Sequence, residues 1–122
     1  MAHKILLVED DPDGQEVLQS VLQHHHIETD VVGTGEDALT LLSADSEYKA
    51  AIVDLALPGM DGFTLLKELR QRQVTDRVPC IAVTAYHSAE LAVQAVNAGF
   101  AAYFPKPIDT ALIIQELQRH LG

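Results

Sequence analysis

The chain has 122 residues, 48% of them hydrophobic, which suits one domain built on one core. Eight Lys and Arg stand against 18 Asp and Glu, a formal charge of -10, which argues against direct binding to nucleic acid or to an anionic membrane face and points to proteins or cations as partners. Met1-Ala2-His3-Lys4 leads into a short apolar run with no h-region or cleavage site, and no apolar stretch approaches the roughly 20 residues needed to cross a bilayer, so a cytoplasmic protein is expected.

Short apolar runs alternate with longer segments of helical period, the pattern of a parallel sheet covered by helices on both faces. The first strand, Lys4 to Val8, ends on Glu9-Asp10-Asp11. Asp11 can cap the next helix, Pro12 fits its first turn, Asp13 complements its dipole, and Val17, Leu18, Val21 and Leu22 share one face. His24-His25-His26 invites a zinc or nickel reading, but consecutive rings point in different directions and a solvated terminal turn is expected. The second strand, Glu28 to Val32, is the least apolar and is expected at an edge, with the others more deeply buried. Thr34 and Asp37 have the spacing of a capping box at the start of helix two.

Ala50 to Val53 form the third strand, which ends on Asp54. Pro58-Gly59-Met60-Asp61-Gly62 reads as a turn into helix three, whose buried face is Leu65, Leu66 and Leu69. The fourth strand, Cys80 to Thr84, carries the lone cysteine, which is expected to be buried and inert. Ser88 can cap the fourth helix, with Leu91, Ala92, Ala95 and Val96 facing inward. Ala101 to Phe104 is the fifth strand, Asp109 caps the last helix, and Ile113, Ile114, Leu117 and Leu121 recur at helical spacing before Gly122 closes the chain. No repeat, low-complexity tract or linker interrupts the five βα units, so residues 1–122 are expected to be a single α/β domain.

In such sheets the functional loops lie beyond the carboxyl ends of the strands. Strand one ends at Glu9 and Asp10, strand three at Asp54 and strand four at Thr84, while Lys106 follows strand five. Carboxylates, a hydroxyl and an ammonium are thereby delivered to one rim. A carboxylate cluster repels phosphate until a hard cation neutralises it, and Mg²⁺, held by a few carboxylates with waters retained, is the natural occupant. A cation-dependent phosphoryl site is the expectation.

With Val8-Glu9-Asp10-Asp11, Asp54-Leu55-Ala56-Leu57-Pro58-Gly59-Met60-Asp61-Gly62, Val83-Thr84-Ala85 and Lys106-Pro107 in this order and spacing, the chain resembles the receiver domain of two-component response regulators over essentially its full length. The resemblance implies a doubly wound, flavodoxin-like and CheY-like (βα)5 fold with strand order 2-1-3-4-5. It implies that Asp54 is the phosphoacceptor, forming an acyl phosphate. Asp10 and Asp54 would ligate Mg²⁺ directly, Glu9 through water and Ala56 through its backbone carbonyl, and the metal would screen the incoming charge. Lys106 would hold a phosphoryl oxygen, with a cis bond to Pro107. Thr84 would donate its hydroxyl to the new phosphoryl group, and Tyr103 would swing inward as Thr84 moves; a tyrosine with its ring packed and its hydroxyl wet is the alternative for that residue.

The protein so implied is a regulator, not an enzyme in its own right. It receives the phosphoryl group from a histidine kinase or phosphotransfer protein and changes its helix 4, strand 5 and helix 5 surface, through which a downstream partner, an output domain or a second copy would bind. No output segment follows Gly122, so either a stand-alone regulator or an excised domain fits.

Two features depart from the commonest receiver pattern. Phe100-Ala101-Ala102 stands where many receivers have a small residue and then acids, so partner identity does not carry over. Tyr86 is bulky and Ala56 has no polar side chain, so no group is expected to orient an attacking water and an acyl phosphate that outlasts seconds is expected.

Other classes fit less well. Asp11-Pro12-Asp13-Gly14 resembles the motif of haloacid-dehalogenase-type phosphatases, with Asp11 as nucleophile and Asp13 as general acid, but Gln15 replaces the usual threonine and no later acidic pair is apparent. A flavodoxin-like FMN binder would need a Ser, Thr and Gly-rich first loop where this one is acidic. A pure interaction module would not require Glu9, Asp10, Asp54, Thr84 and Lys106 together.

Overall fold

The computed structural model describes residues 4–44 and 47–121. In chain order the elements are β1 (Lys4–Val8), α1 (Pro12–His24), β2 (Glu28–Val32), α2 (Gly35–Ala44), β3 (Tyr48–Asp54), α3 (Gly62–Gln71), a 3-10 turn (Val74–Asp76), β4 (Cys80–Thr84), α4 (Ala89–Ala98), β5 (Ala102–Pro105) and α5 (Thr110–Leu121). The strands are parallel in the order β2-β1-β3-β4-β5.

Because successive strand residues point to opposite faces, each apolar run feeds two cores. Leu6, Val8, Ala51 and Val53 meet Ala38 and Leu42 of α2, Leu65, Leu66 and Leu69 of α3, and Ala95 of α4. Ile5, Leu7, Ile52 and Val83 meet Leu18 and Leu22 of α1 and Ile113, Ile114 and Leu117 of α5. Helices therefore cover both faces, and β2 lies at an edge as its polarity predicts.

The caps expected from the sequence are present. Asp11 accepts the Asp13 N–H, Thr34 the Asp37 N–H, Ser88 the Leu91 N–H, and Asp109 the N–H groups of Ala111 and Leu112. Asp61, read from sequence only as part of a turn, caps α3 by accepting the Thr64 N–H at 2.8 Å. Cys80 is buried, and burial pushes its thiol up to about 12. The histidine run ends α1 with all three rings exposed.

Several positions differ from expectation. β3 begins at Tyr48, which pairs with Lys4 before a shift of register; Lys49 is exposed and obscures the strand pattern. β5 starts one residue later, at Ala102, and is the other edge, so its residues are half-buried or exposed, not deeply buried. Val17 and Val96 are 59% and 61% exposed and do not face inward. α1 seats on the sheet through Leu18 and Leu22, and α4 through the small Ala95, which leaves each neighbouring valine about 100° around its helix.

Candidate functional site

β1 carries Glu9 to the carboxyl rim, where it is fully buried despite its charge. Its N–H donates to Val32 O at 3.0 Å, and its carbonyl accepts from Gln15 Nε2 at 2.6 Å. The carboxylate lies over Gly14: a Cβ there would fall 2.6 Å from Glu9 Oε1, so the bare glycine makes room for the acid. Asp10, the next residue, is exposed.

Asp54, the last residue of β3, is 5% exposed, and its Oδ1 accepts the Ala56 N–H at 2.9 Å. α3 starts close beneath it, since a Cβ on Gly62 would lie 2.9 Å from Asp54 O and 2.8 Å from Leu55 Cα. Lys106 reaches in from the loop after β5, donating through Nζ to Asp54 Oδ2 at 2.9 Å and to Glu9 Oε1. Its backbone N–H donates to Thr84 O at 2.8 Å, and its bond to Pro107 is cis, as the resemblance implies. Thr84 is buried, and its hydroxyl oxygen accepts the Tyr86 N–H at 3.0 Å.

The residues read from sequence thus fall into two shells. Glu9, Asp54 and Lys106 are in direct contact, with Asp10 beside them; one oxygen from each of Glu9, Asp10 and Asp54 lies within 4.8 Å of the others. Thr84 and Ala56 flank this group through the contacts just described. Tyr103 stands apart, half-buried against the core and 3.0 Å through its hydroxyl from His87 Nδ1. Asp11 and Asp13 are exposed, and Asp11 is occupied as the α1 cap, outside the cluster, which disfavours the phosphatase arrangement. Gly14, Gln15 and His87 take supporting positions that no local sequence pattern marks. The Asp61-Gly62 pair before a helical period was an available capping signal.

Electrostatically, the carboxylates are differentiated. Burial, then the hydrogen bond shared with Asp54, raises Glu9 to about 7 against the pull of Lys106. Burial also penalises ionised Asp54, but hydrogen bonds from Glu9, Lys106 and the Ala56 N–H outweigh it and hold that carboxyl below its usual range. Burial opposes the Lys106 charge, yet its two carboxylate partners raise its pKa. Near neutral pH the pocket therefore presents an ionised Asp54 held by an ammonium, beside a carboxyl poised to lose its proton. All the candidate ligands are oxygens, and their charge matches a hard cation that retains water.

Fold and rim together define a doubly wound α/β domain with an acidic pocket at the carboxyl ends of its strands. The response regulator receiver domain family matches residues 5–118. The response regulator FleR of Pseudomonas aeruginosa is 36% identical over 98% of this chain, which spans 25% of that protein. An uncharacterised 14.6 kDa protein of Leptolyngbya boryana is 34% identical over 95% of this chain and 88% of its own length. Among solved structures, the receiver domain of a sensor histidine kinase from Pseudomonas aeruginosa, with a magnesium ion coordinated in its active-site cleft, has a TM-score of 0.89 and 32% identity, covering 100% of this chain and 99% of that one. The chain belongs to the response regulator receiver domain family of two-component signal transduction. Members of this family are regulatory phosphoacceptors. No helix among the described residues is long and apolar enough to cross a membrane.

Proposed function

We propose that residues 1–122 form one receiver domain that works as a phosphorylation-dependent switch, with Asp54 as phosphoacceptor. The observation that carries this reading is the suspension of Asp54 between the Ala56 N–H on Oδ1 and the Lys106 ammonium on Oδ2, beside the buried Glu9 carboxyl. An Asp54 oxygen attacks the phosphorus of a donor phosphohistidine, the P–N bond breaks with its electron pair leaving on the imidazole, and an acyl phosphate forms.

Lys106 then exchanges a carboxylate partner for a phosphoryl oxygen, and the Thr84 hydroxyl turns from the Tyr86 N–H toward another. Glu9, Asp10, Asp54 and the Ala56 carbonyl would hold Mg²⁺, which supplies charge neutralisation between carboxylate and phosphoryl oxygens. Tyr103 would follow Thr84, altering the α4–β5–α5 face where Val93, Val96 and Leu112 are exposed to a downstream protein, an output domain or a second copy.

The donor is a histidine kinase or phosphotransfer protein in the cytoplasm. A groove of about 280 Å³ supports its approach beside α1, because Val17, Leu18, Pro107 and Ile108 line it together with Glu9 and Lys106 of the site itself. Apolar docking there would bring a histidine to Asp54. The domain itself is a regulator that assists its own modification. Exposed Ala56 offers no polar side chain to orient a hydrolytic water, and Tyr86, also exposed, is bulky, which supports an acyl phosphate that outlasts seconds.

The test is intact mass after incubation with Mg²⁺ and acetyl phosphate, beside Asp54→Asn and Asp11→Asn. A single phosphoryl adduct that needs Mg²⁺ and vanishes only in Asp54→Asn is expected. Loss only in Asp11→Asn would favour the phosphatase reading, and no adduct in any protein would favour an interaction module.

A further inference from the structure

The short loop after β4 carries two hydrogen bonds at adjacent residues. Tyr86 N–H donates to Thr84 Oγ1 on the site side, and His87, the next residue, places Nδ1 3.0 Å from the Tyr103 hydroxyl on β5. The two rings lie 5.6 Å apart at a tilt of 46°. Tyr103 packs its ring partly against the core while its hydroxyl reaches the exposed histidine.

From this geometry we infer that His87 is a positioning residue that latches Tyr103 in the unmodified arrangement and thereby weights the switch toward rest. The inference rests on the phosphoacceptor reading above. A Thr84 side chain that rotates toward a phosphoryl oxygen draws Oγ1 off the Tyr86 N–H. Because His87 is the next residue of the same loop, loss of that bond frees the segment that holds the latch. In the neutral ring with its proton on Nε2, Nδ1 accepts from the Tyr103 hydroxyl. A hydrogen bond of this kind weights a two-state equilibrium by about two- to tenfold. Alanine removes the acceptor, whereas the Oδ1 of an asparagine falls close to the position of Nδ1 and can replace it.

The experiment uses the full chain and its His87→Ala, His87→Asn, Tyr103→Phe and His87→Ala/Tyr103→Phe variants. Ring-labelled tyrosine spectra of the unmodified proteins, with the Tyr103 signal assigned by its loss in Tyr103→Phe, report the latch directly. Mg²⁺-dependent adduct formation from acetyl phosphate reports its effect. His87→Ala is expected to shift the Tyr103 ring signals and to speed labelling about two- to tenfold, with His87→Asn close to wild type and the double variant no faster than Tyr103→Phe alone. Unchanged Tyr103 signals in His87→Ala, or rate effects of the two substitutions that simply multiply, would overturn the latch while wild-type labelling stays normal. Failure of the wild type to label at Asp54 defeats the phosphoacceptor reading itself, and this role with it.

Discussion

Lys106 Nζ stands 2.9 Å from Asp54 Oδ2 across 52 residues of sequence, and the same ammonium bonds Glu9, 97 residues away. One cation thus serves two buried carboxylates. A divalent metal entering this pocket would therefore have to compete with that ammonium for the two carboxylates, and a phosphoryl group with the carboxylates for the ammonium.

Lys106→Ala leaves those carboxylates facing each other. Removing one partner of a buried ion pair costs about 3–5 kcal/mol when nothing compensates. Here Glu9 can take up a proton, and the lysine side chain is 23% exposed, so a loss of about 1–2 kcal/mol is expected, with the fold retained. Urea unfolding should show the lowered midpoint, partly restored by Mg²⁺. Asp54 should remain modifiable while the Tyr103 response to modification disappears; a variant that does not fold at all would contradict the placement of Lys106.

The raised Glu9 pKa has a definite sign. Its folded value of about 7 lies above the ordinary 4.5, so the folded state holds the proton more tightly. The stability this contributes is complete below about pH 4.5 and is lost as pH rises toward 7. Metal binding runs the other way, since a ligand carboxylate must be ionised, so Mg²⁺ affinity should climb between pH 5.5 and 8 by roughly tenfold or more. Urea unfolding and calorimetric Mg²⁺ titration across this pH range, wild type against Glu9→Gln, check the two in turn, and equal pH slopes in the two proteins would refute the assignment.

Gly14→Ala separates stability from site geometry. Alanine favours the helix by about 1 kcal/mol over glycine, but its methyl would meet Glu9 Oε1 at 2.6 Å and push the carboxylate aside. Unfolding free energy is expected to stay within about 1 kcal/mol of wild type, while Mg²⁺ affinity falls several-fold. Unchanged affinity would show that Glu9 does not serve the cation.

Gly62→Ala presents the opposite case, because its obstacles are the backbone atoms Leu55 Cα and Asp54 O, which cannot rotate away. Overpacking against backbone costs typically about 1–3 kcal/mol. Denaturant unfolding should register that loss, and labelling of Asp54 should slow as the end of β3 shifts. Wild-type stability would mean that α3 can slide away from the strand.

Much of the architecture is legible in the order of residues, because a strand buried on both faces must be apolar throughout and a capped helix starts with a recognisable donor-satisfying side chain. Ile5 to Val8 and Cys80 to Val83 are examples, as are Asp11, Ser88 and Asp109. The rim residues were legible for a related reason: an acid, a hydroxyl or a lysine that interrupts an apolar run at a strand end has no packing role to explain it.

Other facts depend on how the elements meet. A helix offers several overlapping apolar stripes, and only its seating on the sheet chooses Leu18 over Val17 or Ala95 over Val96. The bare space above Gly14, the sharing of Lys106 between Glu9 and Asp54, and the bond from His87 to Tyr103 join positions with no local signature. The order of residues could establish which chemistry reaches the rim, since strand ends share one edge in any parallel sheet. Distances, burial and proton affinities arise from packing across distant segments, and those set which carboxyl stays ionised and which holds its proton.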